Sequence, residues 1–202
     1  MGLGRAAEME LDGNRGIRKG DLMDTDGDRR GYTIWLEGLP GSGKSTLAVL
    51  LAGILKGNGR KVELMDGDEV RKGLSADLGF TRKDRESHAH RVGYVSSLLS
   101  RNGVVVIVSL ITPYESSRKD VRNLMQDRMI EVWLRCPVEV CATRDPKGLY
   151  KKAREGKITG MTGVDDPFEE PQGPDLIIDT DTLSKDACLT AIMAEIQRRG
   201  LD

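Results

Sequence analysis

From residue 31 onward, short apolar runs alternate with longer stretches in which apolar positions recur every three or four residues, and glycines, asparagines and prolines punctuate the joins. The short runs predict strands over 32–36, 61–65, 104–109, 129–134 and 175–179. The longer stretches predict helices from Ser45 to about Gly57, from Glu69 toward Leu74, from about Arg82 to Asn102, and near 115–128, 137–144 and 184–199. The run Val104 to Ser109 is nearly all β-branched, which suits a strand covered on both faces. Strands that alternate with helices in this way predict an α/β fold whose five-stranded, mostly parallel sheet lies between helices. The pattern lapses twice. Residues 1–30 are rich in Gly, Asp and Arg and too poor in apolar side chains to offset their ordering entropy, so they read as a flexible tail ahead of one domain, 31–202. Residues 145–174 hold four prolines and five glycines around a Lys/Arg cluster, and a structureless stretch of that length reads as a lid.

Composition narrows the partners. A formal net charge of −1 over 202 residues gives no reason to expect a nucleic-acid polymer or an anionic membrane. Cys136, Cys141 and Cys188 form no C-x-x-C pair and are odd in number, which suits buried thiols in a reducing compartment and gives them no role. The longest apolar run, Val104 to Ile111, is too short to span a bilayer, and the N-terminus lacks a signal-like apolar stretch, so the expected location is cytoplasmic. Asp24 to Asp28 hint at a calcium loop, but Arg29 stands where the turn needs glycine and Trp35 where it needs glutamate.

The chemistry begins at Gly38-Leu39-Pro40-Gly41-Ser42-Gly43-Lys44-Ser45, between the first strand and the first helix. It fits the phosphate-binding pattern G-x-x-x-x-G-K-[ST] in its strand-loop-helix setting. Glycines let backbone N–H groups turn toward a triphosphate, the helix N-terminus adds partial positive charge, Lys44 reaches the outer phosphates and Ser45 offers a hydroxyl to magnesium. The expected ligand is a nucleoside triphosphate, with Thr46 next along the helix.

Asp66-Gly67-Asp68 ends the second strand, on the sheet edge where open α/β folds bind ligands. Glycine between two carboxylates lets both face the loop, one to take a proton from an incoming hydroxyl and one to orient it. Asp68 also reads as the cap of the helix beginning Glu69-Val70, and the two roles are compatible. Arg71, Arg85 and Arg91 follow that strand, whereas Arg144, Lys147, Lys151, Lys152 and Arg154 lead into the lid. Such runs serve either as a solvated face or as the cations that close over phosphates and exclude water.

Together, the octet, Asp66-Gly67-Asp68, Leu78-Gly79-Phe80, Ile111-Thr112-Pro113-Tyr114 and Asp145-Pro146-Lys147-Gly148-Leu149-Tyr150-Lys151-Lys152-Ala153-Arg154 resemble the adenylylsulfate kinase (APS kinase) family, in order from about Gly31 to the C-terminus. The resemblance implies a P-loop kinase sandwich, ATP and Mg²⁺ as cofactors, and phosphorylation of the 3′-hydroxyl of adenosine 5′-phosphosulfate (APS) to give PAPS in sulfate assimilation. It further implies that Asp66 is the catalytic carboxylate near the metal, with Lys44 and Lys147 assisting. Asp68, Arg71, Phe80, Arg85, His88, Ile111, Thr112, Lys147 and Met161 fall at acceptor positions, Phe80 as one wall of an adenine clamp. Arg144 falls beside the ATP adenine, and Ser45 with Asp66 at the metal. A homodimer and association with an ATP sulfurylase are the partners implied.

The chain departs from the family pattern on the acceptor side. His88-Ala89-His90-Arg91 stands where members read Asn-Val/Ile-Arg-Arg, and Met161-Thr162-Gly163 where they read Phe-Thr-Gly. Methionine still covers an adenine face through its sulfur, and histidine still donates a hydrogen bond. His88 and His90, two apart on a helix, point in different directions and do not read as a metal pair. Thr112 keeps the hydroxyl of the family's Ile-Ser-Pro loop, or simply ends a strand before Pro113. Three functions therefore stay open: an APS kinase, a kinase of the same build with another acceptor, or a silent nucleotide-binding module.

Overall fold

A computed structural model of the protein describes residues 30–202. Both the expected tail, save Arg30, and the Asp24–Asp28 segment lie outside the described residues. Five strands, β1 (Thr33–Glu37), β2 (Val62–Asp66), β3 (Val105–Ser109), β4 (Met129–Arg135) and β5 (Leu176–Asp179), form one sheet in the order β2-β3-β1-β4-β5, every pair parallel. The helices are α1 (Lys44–Gly57), α2 (Gly67–Lys72), α3 (Arg82–Arg101), α4 (Glu115–Met125), α5 (Val138–Arg144), α6 (Leu149–Arg154) and α7 (Lys185–Arg198).

Alternation along β1 divides the core. Ile34 and Leu36 face α1 and α7 with Leu51, Leu55, Ile107, Val132, Ile192 and Ile196. Trp35 faces α3 and α4 with Val92, Val106, Val108, Val121 and Met129. The sheet is thus the middle of three layers, and its central strands are apolar on both sides, as parallel strands under helices require. A third cluster joins Leu39 to Cys136, Cys141, Tyr150 and Met161, beneath the lid. The three cysteines are buried and free, and burial pushes the Cys141 thiol up to about 12.

Local chemistry corrects the expected elements in three places. Asp66, not Asp68, caps α2: its side chain accepts from the Asp68 N–H at 3.1 Å. Helix α4 stops at Met125 and a 3₁₀ turn covers Gln126–Arg128, with Gln126 at φ 52°. The lid segment is not structureless, because it carries α6 and a bridge between Thr162 and Asp166. Asp145 makes that helix possible by accepting from the Tyr150 and Lys151 amides at 3.2 and 3.0 Å, which satisfies donors that a short helix leaves free.

Candidate active site

β1 ends at the phosphate loop in the middle of the sheet, and the ends of β2 and β3 lie beside it. A Cβ on Gly38 (φ 140°) would stand 2.5 Å from the Leu134 carbonyl oxygen, so only glycine lets the loop leave β1 against β4. Gly41 (φ 84°) is similarly pressed on the Cys141 carbonyl at 2.8 Å. Lys44 opens α1, where the N-terminal amides and helix dipole favour an anion. Its ammonium donates to the carbonyls of Gly38 and Leu39 at 2.9 and 2.7 Å. Burial brings its pKa down to about 8, helped by Lys147, while Cys141 and Asp66 oppose the shift. A cation held this way, desolvated and aimed along the loop, gains most when phosphate oxygens replace its carbonyl partners.

Ser45 donates to Asp66 Oδ2 at 2.6 Å, and the Ser109 hydroxyl lies 3.3 Å from it. These oxygens come from α1 and the ends of β2 and β3, where Asp66 and Ser109 are register partners. One hydroxyl and one carboxylate are hard donors, the kind that suits magnesium carried in with phosphates and water. Among the described residues no group of three or more His, Cys, Asp or Glu could hold a metal ion. Asp66 thus serves two ends, with Oδ1 fixing the start of α2 and Oδ2 at the phosphate loop. Asp68, half a turn on, is ion-paired with Lys147 of the lid.

The acceptor-side residues gather around Phe80, whose ring is 65% exposed. Arg71 lies over that ring at 4.7 Å and donates to the Gly79 carbonyl at 2.9 Å. Arg85 donates to the carbonyls of Phe80 and Gly160 at 2.9 and 2.7 Å and thereby joins α3 to the lid. Met161 is buried in the cluster under the lid, its amide held by Asp165 at 2.6 Å. His88 lies alongside with Nδ1 2.9 Å from the Ser75 hydroxyl, while Nε2 is enclosed without a partner. Burial, with help from Arg71 and Arg91, lowers its pKa to about 4, so the ring is neutral at physiological pH. The Thr112 hydroxyl accepts from the Trp35 indole at 2.9 Å, and its backbone sits at φ 46°.

All of the expected site residues except Gly38 and Leu39 line one cavity of about 1270 Å³. Gly38 is spent on the approach to β4, and Leu39 turns into the cluster under the lid. Pockets for one small ligand run to about 300–1,000 Å³, so this cavity is larger than a single such pocket. On the side away from Phe80, Arg144 donates to the Thr180 carbonyl at 2.7 Å, and Leu183, Ser184 and Lys185 continue the wall. Lys151, Lys152 and Arg154 are exposed and do not line the cavity, which is the solvated-face reading, whereas Lys147 and Arg144 do line it. His90 pairs with Asp120 at 2.6 Å, away from His88 and the cavity.

Several residues of the site receive no site role from the sequence. Ser109 was findable, since it ends a buried strand on the ligand edge. Tyr150, whose hydroxyl donates to the Pro40 carbonyl at 2.9 Å, was legible only as part of the lid motif, and Ser75 behind His88 carried no local signal, because their partners lie 110 and 13 residues away.

A phosphate loop on the central strand, a carboxylate and hydroxyl pair beside it, and a lid cation over one large cavity define the class of P-loop phosphotransferases. Comparison with known proteins narrows the class. The model of the adenylylsulphate kinase family matches residues 30–179. The chain is 45% identical over 172 residues to an adenylyl-sulfate kinase of Synechococcus sp. (strain JA-3-3Ab), covering 85% of this chain and 97% of that one. It is similar in structure (TM-score 0.80, 39% identity) to the Mycobacterium tuberculosis APS kinase in complex with AMPPNP and APS, covering 84% of this chain and 99% of that one. It is also 42% identical over 170 residues to a probable bifunctional SAT/APS kinase of Sorangium cellulosum, matching 84% of this chain but 29% of that longer one. The chain belongs to the adenylylsulfate kinase family.

Proposed function

We propose that the protein transfers the γ-phosphoryl group of ATP to the 3′-hydroxyl of APS, giving PAPS and ADP, and that residues 31–202 form the kinase domain. The observation that carries this reading is one cavity that joins phosphate-loop chemistry to an aromatic ring, Phe80, with two arginines against it. An adenine fits against Phe80 and Met161, while Arg71 and Arg85 suit a phosphosulfate. Family membership supports the choice of acceptor.

The roles follow from position. Gly41 to Thr46 offer backbone donors to the β- and γ-phosphates, and Lys44 neutralises the transferring group. Ser45 and Asp66 would hold magnesium, which when bound would supply positive charge to offset that of the transferring phosphates. In this reading Asp66 takes the proton of the attacking hydroxyl, and Asp68, paired with Lys147, steadies the lid cation as the lid excludes water. Arg144 suits the ATP adenine, and Ile111 and Thr112 the back wall of the acceptor half.

Among the described residues no helix is long and apolar enough to cross a membrane, and a cytoplasmic location is part of this proposal. The two-part SAT/APS kinase relative supports association with an ATP sulfurylase, and sedimentation with and without such a partner tests both this and a homodimer. The functional reading is tested by coupled ADP release with Mg-ATP and, in turn, APS, AMP and adenosine. Release that depends on APS at micromolar levels supports it. Preference for AMP or adenosine points to a different acceptor, and no acceptor-dependent release to a silent module.

A further inference from the structure

Arg118 of α4 is 2% exposed, and none of the chemistry above uses it. Its Nε donates to Glu37 Oε2 at 3.0 Å, Nη1 to Glu115 Oε2 at 3.3 Å and Nη2 to the Glu169 carbonyl at 2.5 Å, while the guanidinium lies 5.1 Å from the Phe168 ring centre. Glu37 is the last residue of β1, directly before Gly38 of the phosphate loop. Glu169 and Phe168 belong to the descending arm of the lid. One guanidinium therefore joins the root of the phosphate loop to the far end of the lid, across 51 and 81 residues of sequence.

That descending arm holds the acceptor residues in place. Asp165 accepts from the Gly160 and Met161 amides at 2.7 and 2.6 Å. Asp166 accepts from the Tyr114 hydroxyl at 3.0 Å and lies 3.8 Å from Arg85 Nε. Glu169 donates its amide to the Pro113 carbonyl at 2.8 Å and accepts the Glu115 amide at 2.7 Å. A buried ion pair contributes little net stability compared with a well-packed apolar pair, so its presence here points to geometry.

We propose that Arg118 is a positioning residue for the acceptor half of the site: by tying Glu169 and Phe168 to Glu37, it sets the distance between Arg85 and Met161 on one side and the phosphate loop on the other. Its effect reaches the substrate only through the arm it holds. The identity of the acceptor used in the test rests on the proposed function.

A lone Arg118→Met change would strand the buried Glu37 charge, so the test uses the double variant Glu37→Gln/Arg118→Met. Burial holds the Glu37 carboxyl well above the ordinary carboxylate range, with Arg118 opposing. Glutamine keeps nearly the same size and shape without the charge, so nothing charged is stranded. The double variant is expected to melt cooperatively, to raise the KM for APS at least about tenfold, and to hold the KM for ATP within about twofold. Amides of Gly160, Met161 and Glu115 are expected to exchange faster with deuterium, a readout that needs no acceptor. Phe168→Leu, which leaves the charges alone, is expected to move the APS KM in the same direction by a smaller factor. An APS KM unchanged in a folded double variant, or both KM values rising together, overturns the proposal. If the double variant does not fold, an unchanged APS KM in Phe168→Leu overturns it. If the wild type does not use APS, the proposed function falls, and unaltered exchange at Gly160 and Met161 would overturn this inference separately.

Discussion

Asp66 is the residue whose two oxygens do different work, and substitutions there separate fold from chemistry. Asparagine keeps a carbonyl oxygen for the Asp68 amide, now met at 3.1 Å, but puts an amide group where Oδ2 accepts from Ser45 at 2.6 Å. The NH₂ group at that position can neither take a proton nor bind a cation. Asp66→Asn is therefore expected to keep the cap and melt within about 2 °C of wild type, while kcat falls at least ~10²-fold, equivalent to about 2.7 kcal/mol of barrier. Asp66→Ala loses the cap as well, which costs about 1 kcal/mol and lowers Tm by roughly 2–4 °C in a chain of this size. The assay is coupled ADP release at saturating Mg-ATP and APS, alongside thermal melting and metal-free binding of a fluorescent ATP analogue. Nucleotide binding without metal should hardly change in either variant, since the loop amides and Lys44 are intact. A folded Asp66→Asn enzyme with kcat within tenfold of wild type would remove Asp66 from the chemistry and leave it only as a cap.

Three further outcomes follow from the same geometry. Lys44→Ala is expected to abolish phosphoryl transfer while leaving a cooperative melt, because the ammonium bonds only to loop oxygens; near-wild-type turnover in the folded variant would refute its role. His88, at about 4 when folded against an ordinary 6.5, binds fewer protons folded than unfolded between those values, so its share of stability is complete above pH 6.5 and is lost as pH falls toward 4, on the order of 2–3 kcal/mol. Melting against pH should show that acid limb flattened in His88→Asn, and parallel curves for the two proteins would contradict it. Met161→Phe is expected to lower the APS KM several-fold through about 1 kcal/mol of added stacking, with the ATP KM unmoved; a raised APS KM would show that the cluster of Leu39, Tyr150 and Met161 cannot admit the larger ring.

What the sequence made legible was whatever rests on neighbours in the chain. The phosphate loop needs glycines at fixed offsets between a strand and a helix, so its position and its Lys44 and Ser45 were readable, as was Asp66 at a strand end. The parallel sheet was readable too, since Val105 to Ser109 must be covered on both faces. Helix α6 was hidden because Pro146 and Gly148 mark a loop while the Asp145 carboxylate, which starts the helix, acts five and six residues ahead. The end of α4 was hidden because Gln126, with no glycine or proline nearby, takes a positive φ to turn into β4. Thr112 bonds to Trp35 over 77 residues and Arg118 to Glu37 over 81, and no local pattern announces either pair. Leu39 fits its motif as any residue would, and only the packed lid shows that it turns away from the cavity.

The most direct test of the account is the identity of the phosphorylated product. Purified protein with Mg-ATP and APS, followed by ³¹P NMR and mass spectrometry, should yield ADP and a 3′-phosphorylated adenosine 5′-phosphosulfate in equal amounts. Phosphate found on another hydroxyl, on another acceptor, or only free in solution would contradict it.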